Sequence, residues 1–383
     1  MKIKQCRLRL LHIPFVVVVK HSTKTRSDVE TILVEVELES GIIGYGESLP
    51  REYVTGESIE SVKDSLLNKV FPRVTGTELS GVEDTIEFLE NFESNIPSLE
   101  PHELCVKAAF ELALLDAVGK SLNISVLDML GGPKQESIQY NGIVSAENPE
   151  MVEKLLKKYK QLGMNTVKIK VGTDPERDLE NIKIARSIMG PEASIRVDAN
   201  EAWDLEQAKQ QLAILMQYNI ESVEQPMPAI NKEDYPELLS HLGDRIYVSL
   251  DESVCSYGDA AWMVKNKGGS LFNLRVSKNG GLINSLKLHR LAADHGVQCQ
   301  LGAQVGETSL LSSAGLILAS LVGDCVYHEG AFGTQLLEKD IVNQPVQFGK
   351  EGWLNINKIR NHPGLGVSIN TQALESLTQA VYT

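Results

Sequence analysis

The chain has 383 residues, of which 42% are hydrophobic and 23% are charged, and this composition excludes a mainly disordered protein. Asp and Glu outnumber Lys and Arg by 51 to 37, so the net charge is −14 and we expect no nucleic-acid partner. The apolar run at 13–19 is too short for a membrane span of about 20 residues, and the five cysteines form no CxxC pair. We therefore expect a cytoplasmic protein without membrane association.

The first part of the chain, residues 1–132, reads as an α+β region. Residues 31–39 alternate apolar and polar side chains with the two-residue period of a strand. Residues 102–120 carry apolar side chains one helical turn apart, and we expect Gly119 to cap that helix. The Gly-Gly-Pro at 131–133 marks a boundary.

A regular alternation of short apolar runs and longer amphipathic runs follows, over residues 133–330. Eight such units in roughly 200 residues favour a closed (β/α)8-type barrel over an open sheet, and no GxGxxG follows any of the strands. The predicted strands are 138–144, 166–172, 194–200, 220–226, 246–252, 271–277, 298–304 and 325–330.

Three acids lie at the ends of successive predicted strands. Asp198, Glu224 and Asp251 are 26 and 27 residues apart, which is one strand–helix unit each. Converging carboxylates repel one another unless a cation lies between them, and hard oxygen ligands with room for substrate suit Mg²⁺. The alternative is that each acid is a separate helix N-cap; this is reasonable for one acid but poor for three in phase with the repeat.

Lys168 and Lys170 lie on the same face of the second predicted strand, because Ile169 separates them. A neighbouring divalent cation would lower the pKa of such a lysine and make it a usable general base. A surface KxK on a strand edge is the alternative, but a closed barrel exposes no strand edge.

These motifs, KIK at 168–170, DAN at 198–200, EQP at 224–226 and DES at 251–253, resemble the enolase superfamily in its mandelate racemase/muconate lactonizing enzyme subgroup. The resemblance covers the whole chain. It implies an α/β fold: a modified (β/α)7β TIM-type barrel at 133–330 with an α+β capping domain formed by the N-terminal segment 1–132 and the C-terminal segment 331–383.

The resemblance also implies chemistry. Asp198, Glu224 and Asp251 would hold Mg²⁺, Lys170 would remove the proton alpha to a substrate carboxylate, and Lys168 would stabilise the enolate. Glu307, after the seventh strand, lies where the family often places an acid near the substrate.

The sixth strand departs from the family pattern. Members with two catalytic faces commonly carry a lysine where this chain has Arg275, and arginine does not readily act as a base. Lys278 would take that place only in a shifted register. We therefore count Arg275 as catalytic and Lys278 as a substrate-contact candidate.

Substrate specificity depends on three further places. Strand eight reads Tyr-His-Glu at 327–329, without the Asp-x-Asp pair by which dipeptide epimerases of the subgroup hold an ammonium group. His328 is either a substrate contact or a hydrogen-bonded structural residue. Arg26 and Tyr53 lie in the segments 21–26 and 51–53, where the family's specificity loops fall.

The leading functional hypothesis is therefore a Mg²⁺-dependent isomerase or lyase that cycloisomerises or dehydrates a small carboxylate with one base. The alternatives are a racemase or epimerase of an amino-acid derivative or dipeptide, and, from another class, a non-catalytic barrel that binds a small molecule. We also expect a homo-oligomer.

Overall fold

The computed structural model describes residues 1–20, 25–145 and 148–383. Its strands, in chain order, are β1 (Ile3–Lys20), β2 (Thr25–Leu38), β3 (Ile43–Ser48), β4 (Ser137–Gln139), β5 (Gly142–Val144), β6 (Thr166–Lys170), β7 (Ser194–Asp198), β8 (Ile220–Glu224), β9 (Tyr247–Leu250), β10 (Leu271–Leu274), β11 (Gln298–Leu301), β12 (Trp353–Asn355) and β13 (Thr378–Tyr382).

The α-helices are α1 (Glu52–Thr55), α2 (Ile59–Ser65), α3 (Phe71–Val74), α4 (Val82–Glu90), α5 (Phe92–Asn95), α6 (Leu104–Leu122), α7 (Val126–Met129), α8 (Pro149–Gln161), α9 (Pro175–Met189), α10 (Leu205–Leu215), α11 (Tyr235–Leu242), α12 (Tyr257–Asn266), α13 (Leu282–Asp294), α14 (Ser309–Val322), α15 (Gly333–Leu336), α16 (Asn357–Arg360) and α17 (Thr371–Leu377). None of the described helices is both long enough and apolar enough to cross a membrane.

The three N-terminal strands and the C-terminal strand β13 form an antiparallel sheet with the order β13-β1-β2-β3. The predicted strand at 31–39 corresponds to β2, which ends at Leu38, and its polar side chains pair with those of the neighbouring strand β1. There Glu35 pairs with Arg9 at 2.5 Å, and Glu37 pairs with Lys4 at 2.6 Å. The charged face is thus neutralised across the two strands, and the apolar face packs into the core.

Helix α6 packs against β3 at very short range. An added Cβ at Gly44 would lie 2.2 Å from the carbonyl oxygen of Ala113, and one at Gly46 would lie 2.1 Å from that of Ala109. The predicted helix at 102–120 is confirmed as α6, but Gly119 does not end it. The helix runs to Leu122 and is capped by Asn123, which has a φ of 55°, and Gly119 instead allows close contact with Gly364.

The barrel is a parallel sheet of seven strands, β5 to β11, that are neighbours in chain order. The eighth predicted strand, 325–330, closes the ring through several backbone hydrogen bonds, which include one parallel bridge between Leu301 and His328, rather than through a full ladder. The backbone N–H of Leu301 donates to the carbonyl of Tyr327, and that of Asn141 donates to the carbonyl of His328, both at 2.9 Å. This segment therefore lies between β11 and β5, and we call it the closing segment.

The first predicted barrel strand, 138–144, is two short strands in the structure. Its beginning, β4, pairs antiparallel with β12 from the C-terminal part of the chain, and only β5 enters the barrel. At the other end of the C-terminal part, β13 pairs with β1. The division into a capping domain of 1–132 plus 331–383 and a barrel of 133–330 remains our proposal.

Two glutamates from the N-terminal region cap barrel helices. Glu111 on α6 accepts hydrogen bonds from the backbone N–H groups of Leu282 and Ile283, at the start of α13. Glu47 on β3 accepts from the N–H of Thr308 at 3.1 Å and that of Leu311 at 3.2 Å, at the start of α14. A helix N-terminus carries free N–H groups and partial positive charge, so both carboxyls satisfy donors that would otherwise be buried without partners.

Candidate metal and active centre

The predicted acids converge at one end of the barrel. Asp198 and Glu224 are the last residues of β7 and β8 and are partners in register, and Asp251 follows β9 directly. All three are buried, with at most 2% of each residue exposed. The parallel strands therefore bring together the three carboxylates that the sequence spacing indicated.

Lys168 and Lys170 point into the same space from β6. The Lys168 Nζ lies 3.1 Å from both carboxylate oxygens of Glu224 and 3.6 Å from Asp198 Oδ2. The Lys170 Nζ lies 3.2 Å from Asp198 Oδ2 and also donates to Asn200. Lys168 is 4% exposed, whereas Lys170 is partly exposed and lies at the mouth of the barrel.

Arg275 follows β10 on the other side of the carboxylates. Its guanidinium pairs with Asp251, approaches Glu224 Oε1 to 3.5 Å, and reaches Gln304 Oε1 at 3.3 Å. Lys278, by contrast, is fully buried. Its ammonium donates to the carbonyl oxygens of Asp251 and Asn273 at 2.8 and 2.7 Å, and it contacts Asp251 Oδ1 at 3.1 Å. Both candidates therefore pair with Asp251, and of the two it is Arg275 that also approaches Glu224 and the loop after β11.

A second layer of polar side chains lies beneath the acids, inside the barrel. Arg196 donates to Glu329 at 2.8 Å and to Gln300 at 2.5 Å, and Lys168 donates to Glu329 at 2.7 Å. Gln300 and Asn273 both donate to Glu224, at 2.8 and 3.1 Å. Sequence reasoning missed these residues because it considered only strand ends, although Arg196, Asn273 and Gln300 lie on inward-facing positions of their strands.

The charges in this cluster shift one another's pKa values. Burial alone would raise the pKa of Asp198, but Lys170, Lys168 and Arg275 outweigh it and hold that pKa well below its usual range. Burial raises the pKa of Glu224. Burial would lower the pKa of Lys168, but Glu224, Glu329 and Asp198 raise it above the ordinary value. From the sequence we expected a bound cation to lower the pKa of these lysines. The carboxylates of the protein itself have the opposite effect, since they raise the pKa of Lys168.

The donor set fits Mg²⁺ in chemistry, since it consists of three buried carboxylates. Neighbouring groups hold two of them in place: Asn273 and Gln300 donate to Glu224, and the backbone N–H of Asn200 donates to Asp198. Within the described ranges, no three His, Cys, Asp or Glu side chains form a group that could hold an ion as they stand. The side chains of Arg275 and Lys168 instead pair with the carboxylates. Binding of an ion by Asp198, Glu224 and Asp251 would therefore require those cationic side chains to move aside.

The remaining predicted residues lie around the cluster. Glu307 accepts from the N–H of Gln304 at 2.6 Å, and burial raises its pKa to about 8. The imidazole of His328, on the closing segment, is buried, which lowers its pKa to about 4, and none of the cluster contacts described above involves it. The Arg26 guanidinium lies 5.9 Å from the centre of the Tyr53 ring.

The segment after β3 joins these outer residues to the barrel. Tyr53 packs beside Val54, Leu104 and Cys255, and of these Cys255 lies in the loop that follows Asp251. Arg51 donates to the carbonyl of Val305 at 3.0 Å, next to Glu307. Of the predicted loop 21–26, residues 21–24 lie outside the described part of the chain.

Known proteins are similar to this chain in sequence. Residues 7–131 match the family described as mandelate racemase/muconate lactonizing enzyme, N-terminal domain, and residues 150–373 match the enolase C-terminal domain-like family. An N-succinyl-L-Arg/Lys racemase from Bacillus cereus is 30% identical over 95% of this chain and 94% of its own. A hydrophobic dipeptide epimerase from Enterococcus faecalis is 29% identical over 84% of this chain and 87% of its own.

Solved structures agree with the sequence comparisons. The crystal structure of the Bacillus cereus N-succinyl Arg/Lys racemase superposes with a TM-score of 0.89 at 29% identity, covering 100% of this chain and 99% of the other. A dipeptide epimerase from Cytophaga hutchinsonii, solved with Mg and D-Ala-L-Val, gives a TM-score of 0.88 at 26% identity, with 100% and 99% covered. The chain belongs to the enolase superfamily, in its mandelate racemase/muconate lactonizing enzyme subgroup.

Proposed function

We propose that the protein removes the proton alpha to the carboxylate of a small acid, in a reaction that depends on Mg²⁺. The observation that carries the proposal is the convergence of Lys168 and Lys170 on the carboxylates of Asp198, Glu224 and Asp251. These three acids would hold the ion. When bound, Mg²⁺ supplies a Lewis acid that stabilises negative charge on a substrate oxygen.

The two lysines differ in exposure, and we assign them different tasks for that reason. Lys170 lies at the barrel mouth, where a substrate can reach its Nζ, so it is the base that takes the proton. Lys168 is buried among carboxylates that hold its proton in place, so it stays an ammonium and stabilises the developing enolate charge.

Arg275 favours a reaction that uses one base. Burial would lower its pKa, but Asp251 and Glu224 raise it above the ordinary value, so the guanidinium keeps its proton. It can hold a substrate anion or the enolate but is a poor second base. The geometry therefore supports cycloisomerisation or dehydration as the fate of the enolate.

Proton exchange in D₂O tests this function. We expect small carboxylates, screened with Mg²⁺, to gain deuterium at the α-carbon by NMR without losing optical purity. Lys170→Ala should slow this exchange by several orders of magnitude and leave folding nearly unchanged. Lys157→Ala, at an exposed lysine on α8, is the control. Undiminished exchange in Lys170→Ala would contradict the assignment of the base.

The comparisons favour a second candidate, the racemisation or epimerisation of an amino-acid derivative or dipeptide. An N-succinyl-L-Arg/Lys racemase and a hydrophobic dipeptide epimerase are among the relatives. Inversion normally needs a proton donor on each face, and Arg275 would have to serve the second. Rapid racemisation of an N-succinylated amino acid or a dipeptide by the unmodified protein would favour this second function over the first. In that case Arg275→Lys should increase the rate of racemisation.

A further inference from the structure

A cavity of about 280 Å³ lies between the end of β5, the loop after β11 and the chain that follows the closing segment. Helix α8 forms its outer wall. Most of the side chains that line it are apolar, and they include Ile143, Leu155, Ala303, Ala331, Phe332 and Leu336. We call this space the side cavity.

The side cavity adjoins the catalytic cluster through Gln304. This residue lines the cavity, is 4% exposed, and accepts a hydrogen bond from Arg275 at 3.3 Å. Its Nε2 group is buried and has no hydrogen-bond partner. A buried donor without a partner is costly, so an acceptor on a bound molecule would satisfy it.

Charged groups are scarce in the wall. Glu307 lines the cavity, and burial raises its pKa to about 8, so near neutral pH it is mostly protonated. Lys158 is exposed at the rim, and its ammonium donates to Gln335 at 2.9 Å. Among the lining residues, all in the described part of the chain, there is no Asp or Arg. Glu307 is the acidic residue in this wall, so a buried ammonium group would gain a charged partner only if that carboxyl lost its proton, which burial disfavours.

We propose that the side cavity binds an apolar, uncharged substituent of the substrate, and that a carbonyl oxygen next to this substituent accepts from Gln304 Nε2. This inference rests on the proposed function, since it extends the substrate from the carboxylate at the acids to a tail in the cavity. An apolar cavity of about 150 Å³ holds benzene, so the side cavity has room for a phenyl ring or a chain of several methylenes.

Calorimetric titration of N-acylglycines in the presence of Mg²⁺ tests the proposal. The series N-acetyl-, N-butanoyl- and N-hexanoylglycine keeps the carboxylate and carbonyl and lengthens only the tail. Each buried methylene should tighten Kd about fourfold. Glycylglycine, which carries an ammonium, and N-succinylglycine, which carries a second carboxylate, should both bind more weakly than the butanoyl compound. Equal affinity along the series would overturn the proposal.

Variants locate the effect. Ala303→Phe should fill the cavity and abolish the gain with tail length, whereas Ala213→Phe, on the exposed face of α10, should not. Leu155→Ala enlarges the cavity without adding bulk and should shift the preference to longer tails. If N-succinylglycine instead binds most tightly and Lys158→Gln removes that preference while Lys157→Gln does not, the rim lysine selects an anion and the proposal is wrong.

The outcomes separate this inference from the proposed function. A gain in affinity with tail length but no deuterium exchange would support tail binding in the side cavity and contradict the proposed enolate chemistry. Deuterium exchange that depends on Lys170, together with equal Kd values for all the N-acylglycines, would support the enolate chemistry and contradict tail binding in the side cavity.

Discussion

Replacing Glu111 by Gln should remove a buried ionisable carboxyl while it keeps a helix cap. The N–H groups of Leu282 and Ile283 both donate to the same carboxyl oxygen, Oε1. The amide of Gln retains one carbonyl oxygen in that place, so the start of α13 keeps its acceptor. What the substitution removes is the titration of a carboxyl that is 5% exposed.

The size of the effect follows from the pKa. Burial raises the pKa of Glu111 from 4.5 to about 8 in the folded protein. Because the folded state holds the proton more tightly, the stabilising contribution is full below about pH 4.5 and is lost as pH rises towards 8. Between pH 5 and 8.5 this single group should cost the unmodified protein about 4 kcal/mol of unfolding free energy, at 1.36 kcal/mol per pKa unit.

Urea unfolding at the two pH values measures this cost. The unfolding free energy of Glu111→Gln minus that of the unmodified protein should rise by about 4 kcal/mol from pH 5 to pH 8.5. Other carboxyls titrate equally in both proteins and cancel in the difference. Glu90→Gln, at an exposed residue of α4, is the control and should show a flat difference. A flat difference for Glu111→Gln would refute the reasoning.

Two further predictions concern the metal and the packing of β3. Mg²⁺ at 100 times its Kd should raise the unfolding free energy by about 2.7 kcal/mol, and Glu224→Gln should lose most of that gain. A melting temperature that does not change with Mg²⁺ concentration would argue against the site. Gly44→Ala places a methyl group against the backbone of Ala113 and Ala117, so we expect a loss of about 1–3 kcal/mol or more in urea unfolding. Gly81→Ala, where nothing lies within 4 Å, should change stability little.

The sequence was sufficient to predict what depends on local periodicity. One acid per strand–helix unit fixed the convergence of Asp198, Glu224 and Asp251, because parallel strands of a barrel end on one face. The alternation of Lys168 and Lys170 likewise placed both side chains inside the barrel.

Features that depend on distant parts of the chain could not be predicted in this way. The pairing of β4 with β12 joins residues about 215 positions apart, so no local pattern signals that the strand at 138–144 divides. The position of Glu329 under Lys168 likewise depends on closure of the ring by a segment with little ladder of its own. Glycine is a common residue at the end of a helix, but Gly119 is required because the helix packs closely against Gly364 at this position.

The two capping glutamates have a consequence for protein engineering. Glu47 and Glu111 hold the starts of α14 and α13, the helices that follow the strands and loops bearing Gln304, Glu307 and Arg275. A chimera that joins this barrel to the N-terminal region of a relative must therefore supply acceptors at both positions. Without them, two helices would begin with buried, unsatisfied N–H groups, and Gln304, Glu307 and Arg275 would lose the support that keeps their side chains aligned.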